Sequence, residues 1–161
     1  MNDLCPYCGA EVIEGADHCD ECQHSLTDMS LPEPVSEVER GLLRDRVGVL
    51  NPHQPVCVAP TTPIGEVLKK MVAERIGCLV VAEGDKMVGI FTERDALLRV
   101  NADAAKLADR PVSAVMTPNP ATLQAEDKIA FALHRMNVGG YRHLPIFADD
   151  KLVGVISIRD I

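Results

Sequence analysis

Short apolar runs alternate with stretches of helical spacing along most of this chain. Cys78–Ala82 and Met87–Phe91 are continuous apolar runs separated by the polar tetrapeptide Glu-Gly-Asp-Lys, which is typical of two buried strands joined by a tight hairpin. Ahead of them, apolar residues recur every three or four positions over residues 64–72, which predicts an amphipathic helix. Thr62 is expected to cap this helix, with Pro63 at its first position.

The same order of elements occurs twice, so we predict an α+β fold. The first unit has a strand at Val56–Val58, a helix from Thr62 to about Glu74, strands at Cys78–Ala82 and Met87–Phe91, and a helix beginning near Thr92. The second unit has matching segments at Thr122–Leu123, Asp127–Met136, His143–Phe147 and Leu152–Ile156. Each unit therefore follows the order β-α-β-β-α, and we expect the two units to form a pseudo-twofold module.

Sequence identity between the two units indicates an internal duplication. Residues 55–95 align without a gap to residues 120–160, with 11 identities in 41 positions. Chance would give roughly two or three. The densest match sets VGIFTERD, at 88–95, against VGVISIRD, at 153–160.

Composition along the chain suggests four segments. A cysteine-rich lobe at 1–26 precedes a linker at 27–36 that carries two prolines, and the repeats follow at 37–108 and 109–161. Ser36 is expected to cap a short helix. Asp95 is followed by a helix-forming stretch, whereas only Ile161 follows Asp160. The closing helix of the second repeat is therefore expected to be missing or truncated.

Four cysteines near the N-terminus have the spacing of metal ligands. Cys5 and Cys8 form one CxxC pair, and Cys19 and Cys22 form a second. Two such pairs can supply a tetrahedral shell of four thiolates, which favours zinc over iron. A shell of four thiolates leaves no position for water, so the ion would be structural. Two disulfides or a redox pair are the alternatives to this prediction.

The stretch CPYCGAEVIEGADHCDECQHSL resembles the short zinc-ribbon family, whose pattern is CPxCG…CxxCG. Gly9 matches the first glycine of that pattern, whereas Gln23 stands at the second. The resemblance implies a small lobe whose folding free energy comes from metal binding. His18 and His24 flank the second CxxC pair and could replace a ligand, but we expect them to face solvent.

Both repeats end in the motif G-h-h-[ST]-x-x-D, where h is apolar. The hydroxyl and carboxylate are Thr92 and Asp95 in the first repeat, and Ser157 and Asp160 in the second. Such a pair can simply cap a helix. It can also serve a ligand, because a helix N-terminus offers N–H groups to phosphate and a carboxylate can accept both hydrogens of a ribose diol. The pattern alone leaves both interpretations open.

A gapless β-α-β-β-α tandem with this motif at both ends resembles a pair of cystathionine-β-synthase (CBS) domains, the Bateman module. The resemblance covers about residues 37–161, and VSAVMTPNPATL resembles the usual repeat opening. It implies that Thr92 with Asp95, and Ser157 with Asp160, hold the ribose and phosphates of adenosine-type ligands in clefts between the repeats. It also implies a flat, disc-like homodimer.

The resemblance places further ligand contacts in the second repeat, at Thr117, Ala121, Tyr141, Arg142 and His143. Arg142 and His143 offer two phosphate partners where the first repeat has Gly77 and Cys78, so we expect unequal clefts. A solvated loop position for Arg142 and a hydrogen-bonded strand position for His143 remain the alternatives.

Charge and hydropathy exclude several classes of partner. The net charge is −8, and residues 1–35 hold eight acidic residues with no Lys or Arg, while the remainder holds 16 acidic and 16 basic residues. Such an acidic segment repels phosphate backbones, which argues against nucleic-acid binding. No apolar run reaches about 18 residues, and no apolar signal segment is evident. We therefore expect a cytoplasmic protein that does not contact membranes.

Sequence motifs argue against an enzyme. The chain has no P-loop and no GxGxxG, and the spacing implies no carboxylate orienter for a catalytic serine and histidine. The resemblance implies a regulatory ligand-sensing module that binds AMP, ATP or another adenosyl ligand, with a structural zinc ribbon available to a protein partner. The alternative is a ligand-free platform for protein interaction and dimerisation.

Overall fold

The structure is a computed structural model that describes residues 3–5, 7–13, 16–26 and 36–161. Its strands are β1 (Asp3–Leu4), β2 (Glu11–Val12), β3 (Cys57–Val58), β4 (Cys78–Glu83), β5 (Lys86–Thr92), β6 (Thr117–Pro118), β7 (Leu123–Gln124), β8 (His143–Ala148) and β9 (Lys151–Ser157). Its α-helices are α1 (Glu37–Arg44), α2 (Ile64–Glu74), α3 (Glu93–Asp95), α4 (Ala104–Leu107) and α5 (Ile129–Gly139). Except for Ser36, the predicted linker lies outside the described residues.

The first repeat is a four-stranded sheet in the order β3-β4-β5-β6, with α2 connecting β3 to β4. Because α2 makes a crossover, β3 and β4 are parallel, whereas β4 and β5 form the predicted antiparallel hairpin. Gly84 in that hairpin has φ +60°, a left-handed conformation that glycine adopts at little cost. The apolar side of α2 packs into a buried cluster with Leu79, Val81 and Phe91.

The second repeat has the three-stranded sheet β7-β8-β9, with a parallel β7–β8 pair and an antiparallel β8–β9 hairpin. Leu144, Ile146 and Ile156 are buried here, at the positions that correspond to Leu79, Val81 and Phe91. The predicted α+β class and the repeated order of elements are therefore confirmed.

Backbone hydrogen bonds between chain-distant segments are duplicated across the two repeats. Ile64 N donates to Arg110 O at 2.9 Å, and the equivalent Ile129 N donates to Asp45 O at 3.1 Å. These bonds start α2 and α5 against the segments that follow α4 and α1, respectively. The segment around α1 thus serves the second repeat as the segment around α4 serves the first.

Helix starts agree with the sequence at Ser36 and near Thr92, and they differ in two other cases. Ser36 caps α1 through a capping box, because Glu39 N donates to Ser36 Oγ and Ser36 N donates to Glu39 Oε2, each at 3.1 Å. Thr62 is not a cap: Pro63 occupies that position, and Thr62 O accepts a hydrogen bond from Val112 N at 2.8 Å.

The predicted start of α5 at Asp127 is also wrong, because the helix begins two residues later at Ile129. The Asp127 carboxylate accepts a hydrogen bond from Gln124 N at 2.8 Å and closes the preceding turn instead. The helix continues past the predicted end at Met136 to Gly139, and Gly140 ends it at φ +64°.

The cysteine-rich lobe packs onto the second repeat. Cys5, Cys19, Cys22 and Leu26 belong to the same buried cluster as Val47, Phe131 and Met136. The lobe contains only the two-residue strands β1 and β2 as regular structure within the described residues. Its order therefore depends on the cysteine cluster and on contact with α5. Among the helices that the structure describes, none combines the length and hydropathy needed to span a bilayer.

Candidate functional site

A cavity of about 840 Å³ lies between the two repeats. One wall is formed by the end of β5 and the turn of α3, and the other by the end of α5 and the start of β8. The residues from 117 to 121 form a third side. The volume lies within the range of about 300–1,000 Å³ that is usual for small-molecule and cofactor sites.

Seven of the nine predicted ligand-binding residues line this one cavity: Thr92, Asp95, Thr117, Ala121, Tyr141, Arg142 and His143. The motif of the first repeat thus faces the ligand positions of the second repeat. Ser157 and Asp160 are not among its lining residues. By the shift of 65 residues they correspond to Thr92 and Asp95, so they mark the second cleft that the resemblance implies.

Thr92 and Asp95 form a reciprocal capping box at the start of α3. Thr92 N donates to Asp95 Oδ2 at 2.9 Å, and Asp95 N donates to Thr92 Oγ1 at 3.3 Å. Asp95 is only 6% exposed, and its Oδ1 also accepts a hydrogen bond from Thr117 Oγ1 at 2.9 Å. The capping interpretation therefore describes this geometry. Asp95 additionally ties the first repeat to the segment that opens the second.

Three arginines line the cavity, and two of them have structural contacts. Arg94 Nη1 donates to Gly140 O at 3.1 Å, which joins the two cavity walls. Arg99 Nη1 donates to Val115 O at 2.9 Å and lies 3.3 Å from Asp95 Oδ1. Among the described residues, no hydrogen-bond partner is recorded for the Arg142 guanidinium, which is exposed at the cavity rim. Arg142 is thus the lining arginine that is available to an anionic ligand.

His143 lies where the two repeats meet. A Cβ atom added to Gly77 would be 2.9 Å from both Cε1 and Nε2 of the imidazole, so the ring lies directly against that glycine. Burial lowers the pKa of His143 from its ordinary value of 6.5, and Glu93 opposes this effect only in part. The lowered pKa favours the neutral imidazole at pH 7 in the ligand-free protein, and this imidazole can offer a hydrogen bond to phosphate.

Asp160, the carboxylate predicted for the second cleft, has contacts that differ from those of Asp95. Ser157 N donates to Asp160 Oδ2 at 2.6 Å, and His53 Nε2 lies 3.1 Å from Asp160 Oδ1. Burial would raise the pKa of Asp160, but hydrogen bonds from Ser157 and His53 outweigh it and lower that pKa. Pro52 replaces the hydroxyl that Thr117 supplies in the first cleft.

Several lining residues were missed by the sequence analysis, chiefly Leu97, Leu98, Asn119, Gly139 and Gly140. Leu97 and Leu98 lie on the π-helical turn Ala96–Val100, and both are exposed. An amphipathic pattern after Thr92 predicts a helix there but not which side chains reach the cavity. The Gly139-Gly140 pair could have located the end of α5 in the sequence, because glycine at the end of a helix marks its C-cap.

The four cysteine sulfur atoms form a second candidate site, and all lie within 4.8 Å of one another. The Sγ atoms of Cys5 and Cys22 are 3.7 Å apart, and those of Cys8 and Cys19 are 3.6 Å apart. Zinc–sulfur bonds of about 2.3 Å in a tetrahedron require sulfur–sulfur separations of about 3.8 Å. The donor set and its spacing therefore fit a zinc ion.

The two CxxC turns have equivalent backbone geometry. Gly9 N donates to Cys5 O at 2.9 Å, and Gln23 N donates to Cys19 O at 2.7 Å. Gly9 has φ +80° and Gln23 has φ 59°, so the second turn keeps the left-handed conformation without the usual glycine. Gln23 Nε2 donates to Asp20 O at 2.9 Å and helps to hold that turn.

The two thiols of the second CxxC pair differ in pKa. Burial raises the pKa of the Cys19 thiol, but hydrogen bonds from Cys22 N and Glu21 N outweigh it, and the pKa falls to about 7. Burial raises the pKa of Cys22 to about 11, against a backbone hydrogen bond from His24. Burial also raises the pKa of Cys8 above the usual range. A metal ion must therefore displace protons from this site, which makes its affinity depend on pH.

The prediction that His24 faces solvent is wrong. Its ring centroid lies 3.3 Å from that of Tyr7, and its Nδ1 lies 3.3 Å from Nδ1 of His134 on α5. Burial lowers the pKa of His24, and His134 lowers it further. His18 is exposed as predicted.

Comparison with known proteins identifies the two repeats. The family model for the CBS domain matches residues 47–102 and again residues 112–161. The chain belongs to the CBS-domain family. Among curated relatives, CBS domain-containing protein CBSCBSPB1 of Arabidopsis thaliana is 35% identical over 138 residues, which are 84% of this chain. The match spans only 25% of that relative's length.

Solved structures share the fold of the CBS pair. The CBS-domain containing protein ATU1752 from Agrobacterium tumefaciens is 33% identical with a TM-score of 0.67, over 71% of this chain and 94% of that one. The CBS domain protein PAE2072 from Pyrobaculum aerophilum, solved in complex with AMP, is 30% identical with a TM-score of 0.64. That match covers 71% of this chain and 88% of the other.

Proposed function

We propose that this CBS pair is a regulatory ligand-sensing module that binds an adenine nucleotide or another adenosyl ligand between its repeats. The observation that supports this proposal is the cavity of about 840 Å³ that both repeats line. In it, the Thr92–Asp95 motif of the first repeat faces the predicted ligand positions of the second repeat. The AMP complex of the similar PAE2072 protein supports this ligand class. The four cysteines hold a structural zinc ion in this proposal.

The proposal assigns a role to each residue of the cavity walls. In this proposal Thr117 and Asp95 contact the ribose, because the carboxylate can exchange its bond with the Thr117 hydroxyl for a bond with a ribose hydroxyl. Ala121 and Tyr141 flank the adenine. Arg142 pairs with phosphate, and neutral His143 donates a hydrogen bond to it. The Thr92 hydroxyl completes the first-repeat contacts.

Ligand binding would act by changing how the repeats sit against each other. A ligand that contacts both walls favours the arrangement of the repeats in which the walls are at the correct distance for both contacts. It can shift the equilibrium between this arrangement and a ligand-free one only by the difference in its affinity for the two. A partner protein, or a second copy in a disc-like homodimer, responds to that change in the arrangement of the repeats. The cytoplasm is the proposed location.

Isothermal titration of the zinc-loaded chain with AMP, ADP, ATP, NAD and S-adenosylmethionine tests the proposal. Arg142→Ala removes a charge-assisted hydrogen bond worth about 1.5–3 kcal/mol, so phosphate-bearing ligands should bind about 10- to 150-fold more weakly. Arg40→Ala, on exposed α1, is the matched control and should leave affinity unchanged.

Absence of heat for all five ligands would contradict the proposal. That outcome would favour the ligand-free interaction platform. One observation already points towards the platform: the Asp95 carboxylate has its hydrogen bonds filled by its own chain. The interaction platform predicts self-association in sedimentation equilibrium that no nucleotide alters.

A further inference from the structure

His134 joins the cysteine lobe to helix α5 through two polar contacts. Its Nε2 lies 3.3 Å from Cys22 O, and its Nδ1 lies 3.3 Å from His24 Nδ1. A single assignment satisfies both contacts: His134 carries its proton on Nε2 and donates to the carbonyl, while its Nδ1 accepts from His24. The carbonyl belongs to a predicted metal ligand, so the imidazole contacts the metal site's own backbone.

The apolar part of this contact is continuous with the core. Phe131, one helical turn before His134, is only 6% exposed and lies in the same buried cluster as three of the four cysteines. The Tyr7 ring contacts His24 from the lobe side, with the two ring planes tilted by 39°. The lobe therefore covers one face of α5 as part of the second repeat.

The first repeat supplies an internal comparison. A shift of 65 residues places Phe131 on Glu66 and His134 on Lys69, and both of these residues of α2 are exposed. At these positions α5 carries an aromatic ring and an imidazole, whereas α2 carries a carboxylate and an ammonium group. This difference accompanies the contact of α5 with the lobe through Phe131 and His134.

The other end of α5 forms part of the ligand cavity. The helix ends at Gly139, Gly140 O accepts the hydrogen bond from Arg94, and residues 139–143 line the cavity. One helix of 11 residues thus has the cysteine lobe on its side and the cavity at its C-terminal end.

We propose that metal binding at Cys5, Cys8, Cys19 and Cys22 and adenosyl-ligand binding in the cavity are positively coupled through α5, with His134 as the coupling residue. The cavity half of this proposal rests on the proposed function. In the described part of the lobe, the longest regular element has two residues, so without metal the lobe no longer covers Phe131 or fixes His134. The cavity wall is then in its binding-competent shape for a smaller fraction of the time, and the apparent affinity for the ligand falls in proportion to that fraction.

Hydrogen exchange of the full chain, zinc-loaded and zinc-stripped, tests the coupling without any nucleotide. Stripping should speed exchange in α5 and in residues 139–143 while leaving α2, the equivalent helix, unchanged. Unchanged exchange in α5, or equal acceleration in α2 and α5, would overturn the proposal.

Titration with AMP in the two metal states tests the cavity. Zinc should strengthen AMP binding by about 5- to 150-fold, and AMP should strengthen zinc binding by the same factor, because coupling is reciprocal. Equal AMP affinity in both states contradicts the coupling while leaving the proposed function intact. Failure of AMP to bind in either state contradicts the proposed function itself.

Variants separate the role of His134 from metal retention. His134→Leu replaces the imidazole with an apolar side chain that can neither donate to Cys22 O nor accept from His24. The ratio of AMP affinities in the zinc-loaded and zinc-stripped states should therefore fall towards one. The tetrathiolate absorption of the cobalt-loaded variant should persist. His134→Gln restores a donor and should recover part of the ratio. Lys69→Leu on α2 is the matched control and should change nothing. A His134→Leu protein with an undiminished ratio would refute the assignment of His134.

Discussion

Replacing Asp95 with asparagine separates the structural role of this carboxylate from its proposed ligand role. The substitution keeps the shape of the side chain but removes its charge and turns one acceptor oxygen into an NH₂ donor. Asp95 is almost fully buried, and it accepts from Thr92 N at 2.9 Å, Thr92 Oγ1 at 2.7 Å and Thr117 Oγ1 at 2.9 Å. Either orientation of the amide sets its NH₂ group against one of these donors, Thr92 or Thr117.

The expected loss follows from these contacts. A hydrogen bond to a charged group contributes about 1.5–3 kcal/mol, and leaving one buried donor unpaired costs a similar amount. The hydroxyls of Thr92 and Thr117 can rotate towards other acceptors, so we expect a net loss of about 2 kcal/mol. At about 2–4 °C per kcal/mol for a chain of this size, Tm should fall by roughly 4–8 °C.

Urea unfolding of the nucleotide-free, zinc-loaded protein, followed by circular dichroism, measures this loss. Asp160→Asn is the matched variant in the second repeat, where the carboxylate is more exposed and accepts from Ser157 N and contacts His53. It should cost less than Asp95→Asn. A loss below about 0.5 kcal/mol for Asp95→Asn, or a larger loss for Asp160→Asn, would refute the reasoning.

Three further predictions concern the surroundings of His143 and the second cleft. Gly77→Ala should lower the free energy of unfolding by about 1–3 kcal/mol in urea titrations, because the new Cβ would meet the imidazole of His143 at 2.9 Å; unchanged stability would show that the ring moves freely. The lowered pKa of His143 means that the unfolded chain binds more protons than the folded chain as pH drops below about 6.5. The free energy of unfolding should therefore decline between pH 7.5 and 5.5, and it should decline less steeply in His143→Leu. Parallel pH profiles for the two proteins would exclude His143 as the cause of the decline. Calorimetry should give one high-affinity AMP site per chain, because His53 already contacts Asp160 in the second cleft, whereas two equal sites would contradict the unequal geometry.

Local patterns in the sequence were sufficient for most of the fold. Alternating apolar runs located both hairpins, and the hydroxyl and carboxylate of Ser36 with Glu39 and of Thr92 with Asp95 produced the two observed capping boxes. These features depend on residues within a few positions of one another, which is why a sequence can predict them. Seven of the nine proposed ligand residues also fell into one cavity because the repeat order determines which ends meet.

Contacts between distant segments could not be predicted in the same way. The pairing of β6 with β5 depends on the segment after α4 returning to the first sheet. Because β6 has only two residues, its sequence shows no pattern that could predict this pairing. The docking of the cysteine lobe on α5 involves residues more than 100 positions apart. Its signals in the sequence were Phe131 and His134, at positions where the first repeat has Glu66 and Lys69.

A crystal structure of the zinc-loaded protein grown with saturating AMP tests the central claim most directly. The account predicts one AMP in the cavity between the repeats, with its ribose at Asp95 and Thr117 and its phosphate at Arg142. Electron density for AMP outside this cavity, or an empty cavity with its walls closed against each other, would contradict it.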